Sequence, residues 1–239
     1  MKFKDWINFT EIDYSQIVCG ASSRCFTDRP TIHPIGLHSL MYSGDGMGRP
    51  PAAISSFEGV VNSKLCYCNV GRTHEERDNL MDAFYERNHS FVTFEGPSVF
   101  ETFGPLREPQ PPIPIRDYLH SLLSHKFCIS PPGNGIDCHR HFEAIMTKSI
   151  PILQVPNEED CQKRWGSPCY IKEKYAELPV LWTEDYSELS EEYLEAAYLK
   201  ILNQSFDFSR LYYSYWKKIS PDVIRNSETW VPDFRRSRH

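Results

Sequence analysis

Between Ser130 and Glu143 the chain sets a loop of prolines and glycines directly before a helical segment that carries an arginine and a glutamate. Ser130, Pro132, Gly133, Asn134 and Gly135 form the loop, Asp137 and His139 open the helix, and Arg140 and Glu143 lie along it. Glycine lets backbone N–H groups approach a ligand closely, and a helix N-terminus adds free N–H groups and a partial positive charge. The Arg140 guanidinium offers a fork that matches phosphate oxygens. Glu143, one turn further on, is poorly placed for phosphate and well suited to accept hydrogen bonds from two ribose hydroxyls. Together these residue types imply a nucleoside diphosphate.

Other nucleotide chemistries fit less well. Gly133 and Gly135 supply two of the three glycines of a dinucleotide fingerprint, but Cys138 occupies the third position. No phosphate-loop motif with its lysine is present. The loop Ser43-Gly-Asp-Gly-Met-Gly-Arg-Pro-Pro51 is glycine-rich but lacks phosphate-loop spacing. His139 and His141, two apart on a helix, do not face each other, which argues against a metal pair. Neither a metal nor a cofactor is expected.

The elements that must hold these groups follow from hydrophobic periodicity. From residue 62 onward, short apolar runs at 64–70, 91–94, 127–129, 150–153 and 178–182 read as strands. Helical patterns fall at 74–88, 115–124, 138–146, 189–203 and 208–219, and 154–177 reads as a long polar connection. On the helix after the glycine loop, Cys138, Phe142 and Ile145 make an apolar face, while Asp137, Arg140 and Glu143 lie away from it. Alternation of strands and helices predicts a doubly wound parallel sheet, whose ligands bind beyond the carboxyl ends of the strands. Asn69 and Arg72 sit at such an end, as do Glu95 and the 130–135 loop. Residues 1–60 are irregular in pattern, with short strands expected at Gln16–Cys19 and Ile32–Leu37.

Composition bounds the remaining possibilities. The chain has 239 residues, 40% of them hydrophobic, enough for a packed core. A net charge of -6 argues against broad nucleic-acid binding. No apolar run reaches the ~20 residues of a membrane span, and the first residues lack a secretory h-region. The eight cysteines contain no C-x-x-C pair, so they read chiefly as free thiols in a reducing compartment, with Cys161–Cys169 the main candidate for a disulfide. The expected location is the cytoplasm, that of the host cell if the chain is viral.

The stretch Cys128-Ile-Ser-Pro-Pro-Gly-Asn-Gly-Ile-Asp-Cys-His-Arg-His-Phe-Glu-Ala144 and its following strand resemble the central motif of exostosin-like glycosyltransferases, in particular the compact forms of microbes and large viruses. His33-Pro-Ile-Gly-Leu37, Lys64-Leu-Cys-Tyr-Cys-Asn69 with Glu76-Arg77, and Pro179-Val-Leu-Trp182 are similar to its flanking segments. The resemblance implies a GT-B-type enzyme: two Rossmann-like lobes, and an inverting, metal-independent transfer, most often from a UDP-sugar, to a glycan hydroxyl. It places a reduced acceptor lobe at residues 1–60, a nucleotide-sugar-binding domain at 61–220 and a tail at 221–239. Carried over, Gly133, Asn134 and Gly135 approach the diphosphate; Asp137, His139 and Arg140 hold its charge or order the loop; Glu143 binds ribose. Arg72 is a further phosphate clamp. The base that deprotonates the acceptor comes from the N-terminal side, where His38 and Asp45 are the foremost candidates beside Asp13, Glu58 and Glu95. Two other readings remain open: an inactive nucleotide-sugar-binding partner of an active transferase, and another nucleotide-dependent α/β enzyme.

Overall fold

The computed structural model describes residues 1–5, 19–20, 37–38, 60–70, 77, 80, 89–95, 113–133, 136–155, 157–165, 169 and 171–219. The strands are β1 (Cys19–Gly20), β2 (Leu37–His38), β3 (Lys64–Cys68), β4 (Val92–Phe94), β5 (His125–Ile129), β6 (Ile150–Gln154) and β7 (Leu181–Thr183). The helices are α1 (Ile115–Ser124), α2 (His139–Met146), α3 (Glu158–Trp165), α4 (Ile171–Tyr175), α5 (Glu191–Asn203) and α6 (Tyr213–Ile219). Arg77 and Leu80 are helical as well.

Strands β3 to β7 form one parallel sheet in the spatial order β4-β3-β5-β6-β7. Counted along the chain, its second strand comes first, followed by the first, third, fourth and fifth. This is a doubly wound, Rossmann-like order, and winding reverses between β3 and β5. Strands β1 and β2 form a separate parallel pair.

Both faces of the sheet are covered. Cys66 and Phe127 are register partners and share one face; Tyr67 and Cys128 share the other. The Phe127 ring meets Tyr198 of α5 edge-on at 5.9 Å, so α5 covers the first face. Tyr67 meets Tyr118 of α1 at 6.3 Å, so α1 covers the second. Burial from both sides explains why Phe127, Cys128 and Ile129 are a continuous apolar run.

Several sequence expectations are corrected. The helix after the glycine loop starts at His139, one position later than a cap at Asp137 would give. Its N-cap is Cys138, in extended backbone and without a side-chain cap bond. Asp137 instead accepts a 2.7 Å hydrogen bond from Tyr175 Oη and pairs with Lys174 at 3.6 Å, both on α4. The 178–182 run forms a strand only from Leu181, since Pro179 has no N–H to give the ladder. The 208–219 helix is two pieces: a 3-10 turn at Phe208–Leu211 and then α6, separated by extended Tyr212. The polar connection after β6 contains α3 and α4.

The Cys161–Cys169 disulfide joins α3 to the segment before α4, so these two cysteines are not free thiols. Disulfides of this kind persist in oxidising compartments. Among the described residues Cys66, Cys68 and Cys128 are free and buried, and Cys138 is free and half-buried. The first residues lie at the C-terminal end of α5, with Lys2 bridging Ser205 and the Phe3 ring edge-on to Phe206. No helix among the described residues is long and apolar enough to cross a membrane. The 221–239 tail, like most of residues 6–59, lies outside the described residues.

Phe127 is wholly buried in the central strand. Phe127→Ala is expected to destabilise the chain by ~3–5 kcal/mol. Chemical denaturation checks this, and a loss below about 1 kcal/mol would contradict the packing described.

Candidate functional site

The reversal of winding between β3 and β5 leaves a crevice beyond their carboxyl ends, because the crossovers leave on opposite faces. From β3 comes Asn69, whose amide donates to Tyr67 Oη at 3.0 Å. From β5 come Ser130, fully buried, and the loop through Pro131, Pro132 and Gly133.

Arg77 braces this loop. Its Nε donates to the Pro132 carbonyl at 2.6 Å and its Nη2 to the Pro131 carbonyl at 3.2 Å. The guanidinium passes so close to Gly133 that a Cβ there would lie 3.2 Å from Nη2. A side chain there would require the guanidinium to give by a few tenths of an ångström. Arg77 is only 6% exposed. Burial, and then the positive charge of Arg140, pull its pKa down to about 10.

Arg140 lies on the first turn of α2. Its Nε is buried and has no hydrogen-bond partner among the described residues. Burial opposes its charge, but Tyr118, Cys138, Cys128 and Glu143 more than offset this and raise its pKa. Arg77 is buried and Arg140 half-buried, and the charge of Arg140 acts against that of Arg77, so these strand ends carry a positive field.

Glu143 departs from the expected solvent-facing side of the helix. It is 4% exposed, because α1 packs over it, and its Oε2 accepts a 2.7 Å hydrogen bond from Tyr118 Oη. Behind Arg140, His141 is fully buried and contacts Ser130 Oγ at 2.7 Å and Cys138 Sγ at 3.3 Å through Nδ1.

The fold thus gathers Asn69, Ser130, Pro132, Gly133, Arg140 and Glu143 around two strand ends and one helix. Asp137 is adjacent in sequence but directed to α4, and His139 opens α2 half-buried. Arg72, Asn134, Gly135 and Asp45 lie outside the described residues, as do Asp13 and Glu58. The backbone of β2, which contains His38, packs against α2. Glu95 accepts a hydrogen bond from Ser121 Oγ at 2.7 Å. Among the described residues, no group of three or more His, Cys, Asp or Glu is placed to hold a metal ion.

Sequence reasoning overlooked Arg77, Tyr118, Cys138 and His141. One signal was available for Arg77. It stands three positions before Leu80 on one helix, which puts a charge on the buried face.

A doubly wound parallel sheet with a glycine loop and two arginines at its reversal point is a Rossmann-like arrangement, and such sheets bind ligands at that point. Residues 101–218, just under half of the chain, match the family model of the RXYLT1 C-terminal domain. The match supports a glycosyltransferase family. It includes the Ser130–Glu143 segment, while β3, β4 and Arg77 precede it. Curated protein sequences give no match to the chain.

Arg77→Lys keeps the charge but loses the fork that spans two carbonyls. It should cost ~1–3 kcal/mol of stability and loosen the loop. Thermal denaturation and limited proteolysis near residue 133 check this; an unchanged melting temperature and cleavage pattern would contradict the bracing role.

Proposed function

We propose that this chain is a glycosyltransferase that moves a sugar from a nucleoside-diphosphate sugar to a hydroxyl of a glycan acceptor. The observation that carries this reading is the pairing of Arg77 and Arg140 at the strand ends where the sheet reverses, within and beside the segment matched to the RXYLT1 C-terminal domain. In this reading the diphosphate lies across the Pro132–Gly133 backbone, near both guanidiniums and the N-terminus of α2. Arg140 supplies charge to the leaving diphosphate, and no metal or cofactor is assigned to the reaction. Asn134, Gly135 and Arg72 complete the phosphate contacts, and His139 borders them.

Glu143 is assigned to the ribose, with Tyr118 fixing one oxygen of its carboxylate so that the other is directed by geometry rather than by rotamer freedom. The donor is a UDP-sugar. A pentose such as xylose agrees with the xylosyltransferase description of the matched family, and a hexose is the other candidate. The transfer is inverting, in a GT-B arrangement whose acceptor side is built from the N-terminal residues. The proximity of β2 to α2 supports His38 as a base candidate, and Asp45 is the second.

The test is a panel of nucleotide sugars, read by melting temperature and by sugar transfer or hydrolysis. A UDP-sugar should raise the melting temperature while NAD and ATP do not. Arg140→Ala should lower turnover about 100-fold or more, and Glu143→Ala should weaken nucleotide binding. A shift that survives both substitutions overturns the site assignment, and binding without transfer favours an inactive nucleotide-sugar-binding partner.

A further inference from the structure

Cys138, His141 and Ser130 form a nucleophile cluster that the proposed transfer does not use. Cys138 caps α2, a helix of eight residues. Its Sγ is 3.3 Å from His141 Nδ1 and 3.6 Å from Nε2, and 3.9 Å from Ser130 Oγ. His141 Nε2 is 3.3 Å from the Ile136 carbonyl, which only accepts, so this nitrogen carries a hydrogen. Nδ1 is 2.7 Å from Ser130 Oγ, which accepts from the imidazolium as readily as it donates to the neutral ring. The ring is held by the edge-on contact of Tyr175 at 5.4 Å. The cluster can carry an imidazolium beside a thiolate, and in its protonated form the Cys138 Sγ donates to the Pro131 carbonyl at 3.8 Å.

The surrounding charges favour the same state. Burial opposes the Cys138 thiolate, but His141 and then Arg140 and Arg77 outweigh it and bring the thiol down to about 7. Burial likewise opposes the His141 charge, and the Cys138 sulfur, Asp137 and the Ile136 carbonyl raise its pKa. The groups facing the sulfur come from several elements. They are His141 and Arg140 on α2, Arg77 on its own helix, Ser130 beyond β5, Tyr186 after β7, and Tyr175 with Lys174 on α4 through Asp137.

The other described free thiols differ in both respects. Cys66 and Cys128 are raised by burial, and Cys68 is pushed up to about 12. All three are buried, whereas Cys138 is half-buried. Cys138 also borders the anion site: a Cβ on Gly133 would be 3.8 Å from its own Cβ. The Arg140 Nε, buried without a hydrogen-bond partner among the described residues, is part of the same positive field.

We propose that Cys138 is an oxidation and alkylation site in the nucleotide pocket, and that its modification and the binding of a diphosphate exclude each other. The second half rests on the donor-site reading given above. With a hydroperoxide as oxidant, the thiolate sulfur attacks the terminal peroxide oxygen, an S–O bond forms and the O–O bond breaks. The sulfur loses two electrons and the peroxide gains them. The departing alkoxide or hydroxide takes the His141 proton, leaving sulfenic acid, an alcohol or water, and neutral imidazole. The S–O group then occupies the space and the cations that the diphosphate would use.

The experiment is limiting iodoacetamide on the full chain from pH 5.5 to 9, with each cysteine followed by peptide mass spectrometry. A dimedone trap after hydrogen peroxide runs in parallel. UDP is the protecting probe, and its binding is read by melting temperature in the same samples. Cys138 should label with a midpoint near pH 7, and Cys66, Cys68 and Cys128 should stay unlabelled. His141→Gln should raise that midpoint by about one pH unit or more; in case it fails to fold, Cys138→Ser in parallel should abolish the label and the dimedone adduct. UDP should slow labelling about fivefold or more. A Cys138 midpoint at the ordinary thiol value of ~8.5 overturns the thiolate. Undiminished labelling at a UDP concentration that raises the melting temperature overturns the exclusion. If UDP raises nothing, the donor reading fails on its own, and the midpoint still decides the reactivity of Cys138.

Discussion

The buried guanidinium of Arg77 and the half-buried one of Arg140 repel each other at the reversal point of the sheet, and Arg77 braces the glycine loop there. Arg77 is fixed by the carbonyls of Pro131 and Pro132, and Arg140 by its place on the first turn of α2. Each loses hydration, and each lowers the other's comfort as a cation. The fold offsets this with dipoles and with groups that carry negative charge when ionised: Tyr118, Glu143 and the Cys138 sulfur. The same contact makes Gly133 a tight position, since a Cβ there would press on the guanidinium at 3.2 Å. The arrangement makes physical sense as a receptor awaiting an oxyanion, because a doubly charged ligand turns the repulsion into attraction from two sides.

The sheet puts these pieces together. Only at the reversal between β3 and β5 do two adjacent crossovers leave on opposite faces. Arg77 follows β3 and Arg140 follows β5, so two residues 63 positions apart arrive at one crevice by topology alone. The helices then act as walls. Helix α1 covers Glu143 and delivers the Tyr118 hydroxyl to it, and α4 takes up Asp137 and seals the ring of His141. The disulfide ties α3 to Cys169, just before α4.

Much of this was legible in the sequence where local pattern decides. The apolar run Phe127–Ile129, the caps of α5 and the bounds of α1 follow from burial and propensity, and the structure keeps them. The strand–loop–helix order that sets the Ser130–Gly133 loop before α2 was legible from the apolar run and the prolines and glycines that follow it. What depended on tertiary contact was not. Periodicity put Glu143 on a polar face, but nothing local says that α1 will cover that face. Asp137 has the chemistry of a helix cap, yet Tyr175 and Lys174 compete for its carboxylate, and the competition is settled 38 residues away. Arg77 looks like any charged residue on an amphipathic helix until the Pro131 and Pro132 carbonyls are placed beside it. Strand boundaries near Pro179 shifted because a missing N–H matters only once a partner strand is in register.

The central claim is that Arg77 and Arg140 jointly read a diphosphate. Calorimetric titration of the full chain with UDP, UMP and uridine tests it most directly. The account predicts that UDP binds about tenfold or more tightly than UMP, that uridine binds more weakly still, and that the preference for UDP shrinks in Arg140→Ala. Equal affinities for UDP, UMP and uridine, or no binding of UDP at all, would contradict it.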